Sequence, residues 1–291
     1  MKLPEPAVLI RAVRPYQWLS NLAIFAGLLF SYNFFRFPLL LRVAVGFVLL
    51  CGLASAGFLV NDVVDRDRDR RHPVRRHRPI AAAELDPRTA LVIAGVLAAG
   101  SLVGAYALQP AFGFVATVYL FLSVGYTLGL RRLPVLDVLS IAVGLVLRTV
   151  AGAVLIQGRI SPWLFLGVGG VGLSLALSRV QYEMRLAEQT GILEPAKYTP
   201  QLIARMKSFT LSVTVIVYCL YTFLSPRLPA NHAMMLTIPI VLYGAFRYQY
   251  LGYRATPEQS PEQLMLTDLP LLLAVAIWLL TVLAVLYLGR S

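Results

Sequence analysis

Between positions 61 and 79 the chain reads Asn-Asp-Val-Val-Asp-Arg-Asp-Arg-Asp-Arg-Arg-His-Pro-Val-Arg-Arg-His-Arg-Pro. If a helix continues past Asn61, then Asp62, Asp65 and Asp69 stand at i, i+3 and i+7 and share one face, while Asp67 points elsewhere. Asn61 adds an amide four residues before Asp65. Carboxylates so placed repel one another unless a cation joins them. A hard divalent ion with oxygen ligands fits, and magnesium is typically held by one or two carboxylates together with substrate phosphates. Seven arginines between Arg66 and Arg78 interleave with the carboxylates or follow them. Guanidinium groups bind phosphate through paired hydrogen bonds. The pattern predicts Mg2+ on Asp62, Asp65 and Asp69, beside arginines that take a phosphorylated or diphosphate substrate. The simpler reading is a solvated, charge-balanced loop that only sets topology. It leaves the shared face unexplained.

The elements that position this cluster are membrane helices. Of 291 residues, 58% are hydrophobic and 14% are charged, and the mean hydropathy is +0.72. Soluble domains run at about 45–50% apolar and about 25% charged. The apolar runs are unbroken, which disfavours the alternating strands of a membrane barrel. They predict an all-α polytopic protein with nine spans, near 17–34, 39–60, 89–108, 111–130, 135–157, 162–182, 206–225, 232–250 and 268–288. We read residues 1–291 as one transmembrane domain with two long polar loops, 61–88 and 183–205. The first run follows Arg11 and Arg14 and has no small-residue cleavage site after it, unlike a secretory signal.

Lys and Arg fall at the N-terminus and around the loops after the second, fourth, sixth and eighth spans. The exceptions are Arg36, Arg42, Arg159, Arg227 and Arg290 on the opposite side and Arg148 within a span. This bias predicts a multi-pass protein of the cell membrane with the N-terminus and both long loops cytoplasmic and the C-terminus external. The net charge of +12 is explained by that flanking, so the expected partner is the lipid bilayer and not nucleic acid. Cys51 and Cys219 lie in apolar runs and support no disulfide framework. His72, His77 and His232 form no ligand pattern.

Two further features bear on chemistry. Asp137 and Arg148 are eleven residues apart in one span, hence on one side of it and about 16 Å apart. An ionisable group in a span faces a polar cavity, so Arg148 is expected to meet a ligand or a partner on another helix. In the second polar region, residues 176–207 hold no Asp. They hold Arg179, Glu183, Arg185, Glu188, Glu194 and Lys197, with Arg179 and Glu183 at i and i+4 and able to pair.

Asn61-Asp62-x-x-Asp65-x-x-x-Asp69 resembles the first aspartate-rich motif of the UbiA superfamily, intramembrane prenyltransferases built from nine helices. The continuation His72-Pro73-x-Arg75-Arg76-x-Arg78-Pro79-Ile80-Ala81 resembles its decaprenyl-phosphate phosphoribosyltransferase branch. Similar stretches run along nearly the whole chain: Arg14-Pro15-x-Gln17-Trp18-x-x-Asn21, Tyr126-Thr127-x-x-Leu130-Arg131, Arg148-x-x-Ala151-Gly152, and Leu186-Ala187-Glu188 with Tyr198-Thr199. Departures from the branch stand at Ser20, Arg75, Arg179, Val180 and Leu269.

The resemblance implies a magnesium-dependent membrane glycosyltransferase that moves 5-phosphoribose from phosphoribosyl diphosphate (PRPP) to a polyprenyl phosphate such as decaprenyl phosphate, as in cell-wall arabinan precursor synthesis. It implies reacting-centre roles for Asn61, Asp62 and Asp65. Substrate-binding roles fall to Arg14, Gln17, Asn21, Arg75, Arg78, Tyr126, Arg148, Arg179, Glu183, Arg185 and Lys197. One rival is a UbiA-type prenyltransferase acting on a prenyl diphosphate, which would ordinarily carry a second aspartate-rich motif where 176–207 has none. A transporter explains the hydropathy but not a magnesium-type cluster confined to one loop, and no internal repeat is evident.

Overall fold

Proline sets where the long helices begin. It lies in the first turn of α1 (Pro6–Val13), α3 (Phe37–Val64), α5 (Pro87–Leu108), α6 (Pro110–Leu128) and α9 (Pro200–Leu224), and α8 (Pro162–Thr190) starts on one. There its missing N–H has no intrahelical partner to lose. Two of these starts are also capped. Asp86 accepts from the backbone N–H groups of Arg88 and Thr89 at 3.0 and 3.1 Å, and Thr199 accepts from that of Leu202 at 3.2 Å, each satisfying donors the helix leaves open. The remaining helices are α2 (Ala26–Phe30), α4 (Arg66–Arg71), α7 (Leu136–Leu155), α10 (Ile238–Arg254) and α11 (Leu269–Tyr287).

The structure is a computed structural model that describes residues 5–158, 161–190, 197–226, 228–229, 231–254 and 265–287. Among these no strand occurs. Two compact units form, Met1–Ile160 and Ser161–Ser291. Seven of the described helices are long and apolar enough to cross a membrane: α3, α5, α6, α7, α8, α9 and α11.

The other two expected spans are helical in a different way. Residues 17–34 form a 3₁₀ helix, Pro15–Phe25, that runs into α2. Residues 232–250 form a 3₁₀ turn, Ala233–Thr237, followed by the 17-residue α10. A 3₁₀ helix rises about 2.0 Å per residue against about 1.5 Å for an α-helix. The first segment therefore still covers about 30 Å, the thickness of the hydrocarbon layer. The polar loops are shorter than the composition suggests. α3 continues to Val64, α4 follows one residue later, and α8 continues through Thr190. Residues 191–196, with Glu194, lie outside the described residues, as do Arg159, Arg227 and Arg290.

In the first unit, Ile24, Leu28, Leu50, Leu53, Phe112 and Leu155 are fully buried together. Outward faces are apolar as well, with Val103 and Phe121 more than 70% exposed, as expected where lipid is the solvent. The 3₁₀ segment reaches its place because α7 offers it no side chain. A Cβ on Gly152 would fall on the carbonyl group of Ile24, and one on Gly27 would stand 3.1 Å from the backbone nitrogen of Ala153. Small residues allow such backbone approach inside a membrane. Gly152→Ala is thus expected to lower the melting temperature of the detergent-purified protein, at a cost of about 1–3 kcal/mol from overpacking. Gly95→Ala, where a Cβ meets nothing within 4 Å, should leave it unchanged.

Candidate active site

α3 is 28 residues long, about 42 Å, which is more than the hydrocarbon layer needs. Its surplus carries Asn61 and Asp62 beyond the apolar part. The chain then turns at Asp65 and resumes as α4. Asp62, Asp65 and Asp69 are all buried, while the Asp67 side chain is 76% exposed.

Three arginines from three other segments close on these carboxylates. Arg14 comes from the junction of α1 with the 3₁₀ segment and pairs with Oδ1 of Asp62. Its backbone lies at φ 52, a left-handed conformation uncommon outside glycine. Its guanidinium also lies 5.5 Å from the ring centroid of Phe58. Arg78 follows the short 3₁₀ turn Arg75–His77 and precedes Pro79, which restricts it to the extended backbone it adopts. Its Nη1 donates to Asp62 Oδ1 at 3.2 Å and to Asp69 Oδ2 at 2.7 Å. Arg131, from the 3₁₀ turn after α6, grips Asp65 through both guanidinium ends, with Nη2 to Oδ1 at 2.6 Å. Asn61 donates from Nδ2 to Asp65 Oδ2 at 3.2 Å.

The three carboxylates therefore divide. Asp62 and Asp69 share Arg78, and Asp65 belongs to Arg131. The expectation of a single carboxylate face needs this correction, because regular helix is interrupted at Asp65 and Arg131 takes up both oxygens there. Among the described residues no group of three or more His, Cys, Asp or Glu side chains is placed to hold a metal ion. Asp62 and Asp69 nonetheless keep one oxygen each, Oδ2 and Oδ1, buried and without a hydrogen-bond partner. A buried oxygen left so costs about 1–3 kcal/mol, and more when charged. Two such oxygens on carboxylates already joined through Arg78 fit the small carboxylate share that magnesium takes. Burial pushes the Asp69 carboxyl above its ordinary range; the Arg78 and Arg75 charges pull it partly back and Asp62 pushes it up.

A second polar layer lies deeper. Arg148 on α7 donates from Nε to Asn21 Oδ1 at 2.6 Å and from Nη2 to the Tyr119 hydroxyl at 2.8 Å, and stacks 4.7 Å from that ring's centroid. Asn21 is fully buried and donates to Cys51 Sγ at 3.2 Å. Arg148 thus meets partners on other segments, as its place in a span suggests. Asp137 is buried at the start of α7. Gln17 is half-buried, and its Nε2 donates to the Tyr16 hydroxyl at 3.3 Å. Tyr126 sits in the last turns of α6, close enough to act on the charge of Arg131.

In the second unit, Arg179, Glu183 and Arg185 are half-buried on the last turns of α8, and Lys197 is exposed just before α9. Arg185 donates from Nη1 to the Gly252 carbonyl at 2.6 Å. The sequence singled out neither Arg131 as a site residue nor Arg14 as the partner of Asp62. The signal available was that both lie inside stretches that resemble the family.

The UbiA prenyltransferase family model matches residues 20–280. The decaprenyl-phosphate phosphoribosyltransferase of Mycolicibacterium smegmatis is 32% identical, covering 96% of this chain and 92% of its own. That of Mycobacterium tuberculosis is 31% identical over 95% and 93%. Among solved structures, a UbiA homolog from Archaeoglobus fulgidus bound to GPP and Mg2+ superposes with a TM-score of 0.73 at 17% identity, over 96% of this chain and 99% of that one. With apolar helices of spanning length, a family match over most of its length and relatives aligned almost end to end, this chain is an integral membrane protein of the UbiA prenyltransferase family.

Proposed function

We propose that the protein transfers 5-phosphoribose from PRPP to a polyprenyl phosphate, releasing diphosphate. The observation that carries this reading is the near end-to-end similarity to two decaprenyl-phosphate phosphoribosyltransferases. The buried Asp62–Arg78–Asp69 cluster adds to it a place where diphosphate chemistry can occur. The family match runs through both units, so we read them as one transmembrane domain.

The lipid phosphate oxygen forms the new bond to the anomeric carbon, and the bond from that carbon to diphosphate breaks with its electron pair leaving on the diphosphate. The nucleophile is already anionic, so no proton need move and no strong general base is required. Asp62 and Asp69 would hold the magnesium ion, which when bound neutralises charge on the departing diphosphate. Arg78 and Arg75 supply donors for phosphate oxygens beside those carboxylates. Asp65 holds Arg131 and accepts from Asn61, which leaves Asp62 and Asp69 as the pair joined through Arg78. Arg148, Asn21 and Tyr119 brace the 3₁₀ segment that delivers Arg14, with Gln17 on the same segment. Catalysis in this scheme is positioning together with charge stabilisation.

The test is a transfer assay with purified protein, labelled PRPP, decaprenyl phosphate and Mg2+, followed by product mass analysis. Decaprenyl-phosphoribose phosphate is expected, and chelation of the metal should abolish it. Magnesium-dependent binding of geranylgeranyl or longer prenyl diphosphates with none of PRPP would replace this reading with prenyl transfer.

Orientation follows the basic residues, with the cluster on the cytoplasmic side. A cysteine placed at the exposed Ala82 is expected to resist an impermeant thiol reagent in intact cells and to react after lysis, judged against the unmodified chain. Ready labelling in intact cells would invert the topology.

A further inference from the structure

The second unit brings two positive charges together. Lys207 sits on the third turn of α9 and is only 7% exposed. Its Nζ donates to Gln181 Oε1 at 2.6 Å. Arg185 stands one turn beyond Gln181 on α8 and holds the Gly252 carbonyl, with its guanidinium 5.8 Å from the Tyr253 ring centroid. A Cβ on Gly252 would stand 3.5 Å from Lys207 Nζ, so both cations close on the same turn of α10. Their partners are an amide oxygen, a peptide carbonyl and an aromatic ring. Among the described residues no carboxylate pairs with either.

The same face of α8 continues with two more polar groups. Ser174, Ser178, Gln181 and Arg185 follow at i, i+4, i+7 and i+11, one stripe along the helix. The hydroxyls of Ser174 and Ser178 are buried with no hydrogen-bond partner. Burying a charge without an opposite one is costly, and a second like charge beside it adds to the cost. Ionisable groups within a span ordinarily mark a ligand path. A paired lysine and arginine suit a phosphate, the lysine as a point charge and the arginine through its planar fork.

We propose that Lys207 and Arg185 form a binding site in the second unit for a phosphate monoester, and that the monoester is the headgroup of the lipid acceptor. Lys207 is the second residue of the span expected at 206–225, at the edge of the hydrocarbon layer, where the phosphate of a lipid lies. The assignment to the acceptor rests on the function proposed above, since a free sugar phosphate presents the same chemistry.

Binding distinguishes the sources without turnover. Full-length protein in detergent is titrated with decaprenyl phosphate, with PRPP and with the uncharged decaprenol. Lys207→Met is expected to weaken decaprenyl phosphate at least tenfold while PRPP and decaprenol bind as in the wild type. Lys207→Arg should restore binding to within about threefold, since charge is kept. Without ligand, Lys207→Met should melt no lower than the wild type, because an uncompensated buried charge has been removed; a purely structural lysine would give a lower melting temperature. Should Lys207→Met not fold, Arg185→Gln carries the same comparison. Unchanged decaprenyl phosphate binding in both Lys207→Met and Arg185→Gln overturns the site. Loss of PRPP instead of the lipid overturns the acceptor assignment. A wild-type protein that binds decaprenyl phosphate yet transfers no phosphoribose overturns the proposed function and leaves the site standing.

Discussion

Asp62→Asn is expected to cut turnover about a thousandfold, equivalent to about 4 kcal/mol of transition-state stabilisation, in a protein that still purifies as a folded species. Asp62 is the hub of the cluster. Its Oδ1 accepts from both Arg14 and Arg78, and its Oδ2 is one of the two orphaned oxygens. Asparagine keeps the shape but removes the charge that holds two guanidiniums, and it places an amide where an ionised oxygen stood. Removing one partner of a buried ion pair typically costs about 3–5 kcal/mol, so the melting temperature should fall as well. Asp67→Ala is the matched control. Its side chain pairs only at the exposed surface, with Arg66 and Arg70, where ion pairs contribute about 0–1 kcal/mol. It should retain activity within about twofold. Equal losses at Asp62 and Asp67 in steady-state rates would defeat the assignment.

Arg78→Gln is the second large effect. A ten- to several-hundred-fold loss of kcat/KM is expected from losing charge-assisted phosphate contacts of about 1.5–3 kcal/mol. The variant should also move the acid limb of the pH–rate profile to higher pH. Burial already holds the Asp69 carboxyl above its ordinary range, and Arg78 is the largest influence pulling it down. Without that charge the folded-state pKa rises further above the unfolded value. Asp69 then takes up its proton at a higher pH, and activity fails sooner on acidification. Stability has the opposite sign. The native state binds that proton more tightly than the unfolded chain, so metal-free Arg78→Gln gains stability as pH falls through the raised pKa. An acid limb that stays in place while the rate drops would confine Arg78 to substrate contact and remove its role on Asp69.

What could be read from sequence was what local spacing controls. Asp62, Asp65 and Asp69 are buried and Asp67 is exposed, which is the part of the helical spacing from Asn61 that carries over, although the three carboxylates do not act as one group. Pro79 locks the backbone beside Arg78, a short-range constraint. The separation of Asp65 from the other two carboxylates was not legible, because its partner Arg131 lies 66 residues away. Arg14 was visible as part of a motif, but its pairing with Asp62 depends on how α1 meets α3. The 3₁₀ segment at Pro15–Phe25 escaped the hydropathy pattern for a related reason. Its approach to Gly152 is a tertiary fit between backbones, and apolar periodicity does not register such fits. Lys207 reads in the sequence as one more basic residue flanking the second polar loop, and only the packing of α8, α9 and α10 displays how it is surrounded.

The cluster of Asp62, Asp65 and Asp69 against Arg14, Arg78 and Arg131 carries no net charge, and this makes it a poor trap for stray ions. A lone divalent cation must compete with guanidiniums already seated on the carboxylates, and a lone diphosphate must compete with carboxylates already seated on the guanidiniums. Each ligand arriving with the other finds half of that competition removed. If the cluster takes magnesium and diphosphate as proposed, the two affinities are linked and rise by the same factor. In cells, where free magnesium is abundant and phosphorylated metabolites are many, such reciprocity filters for species that bring both charges together.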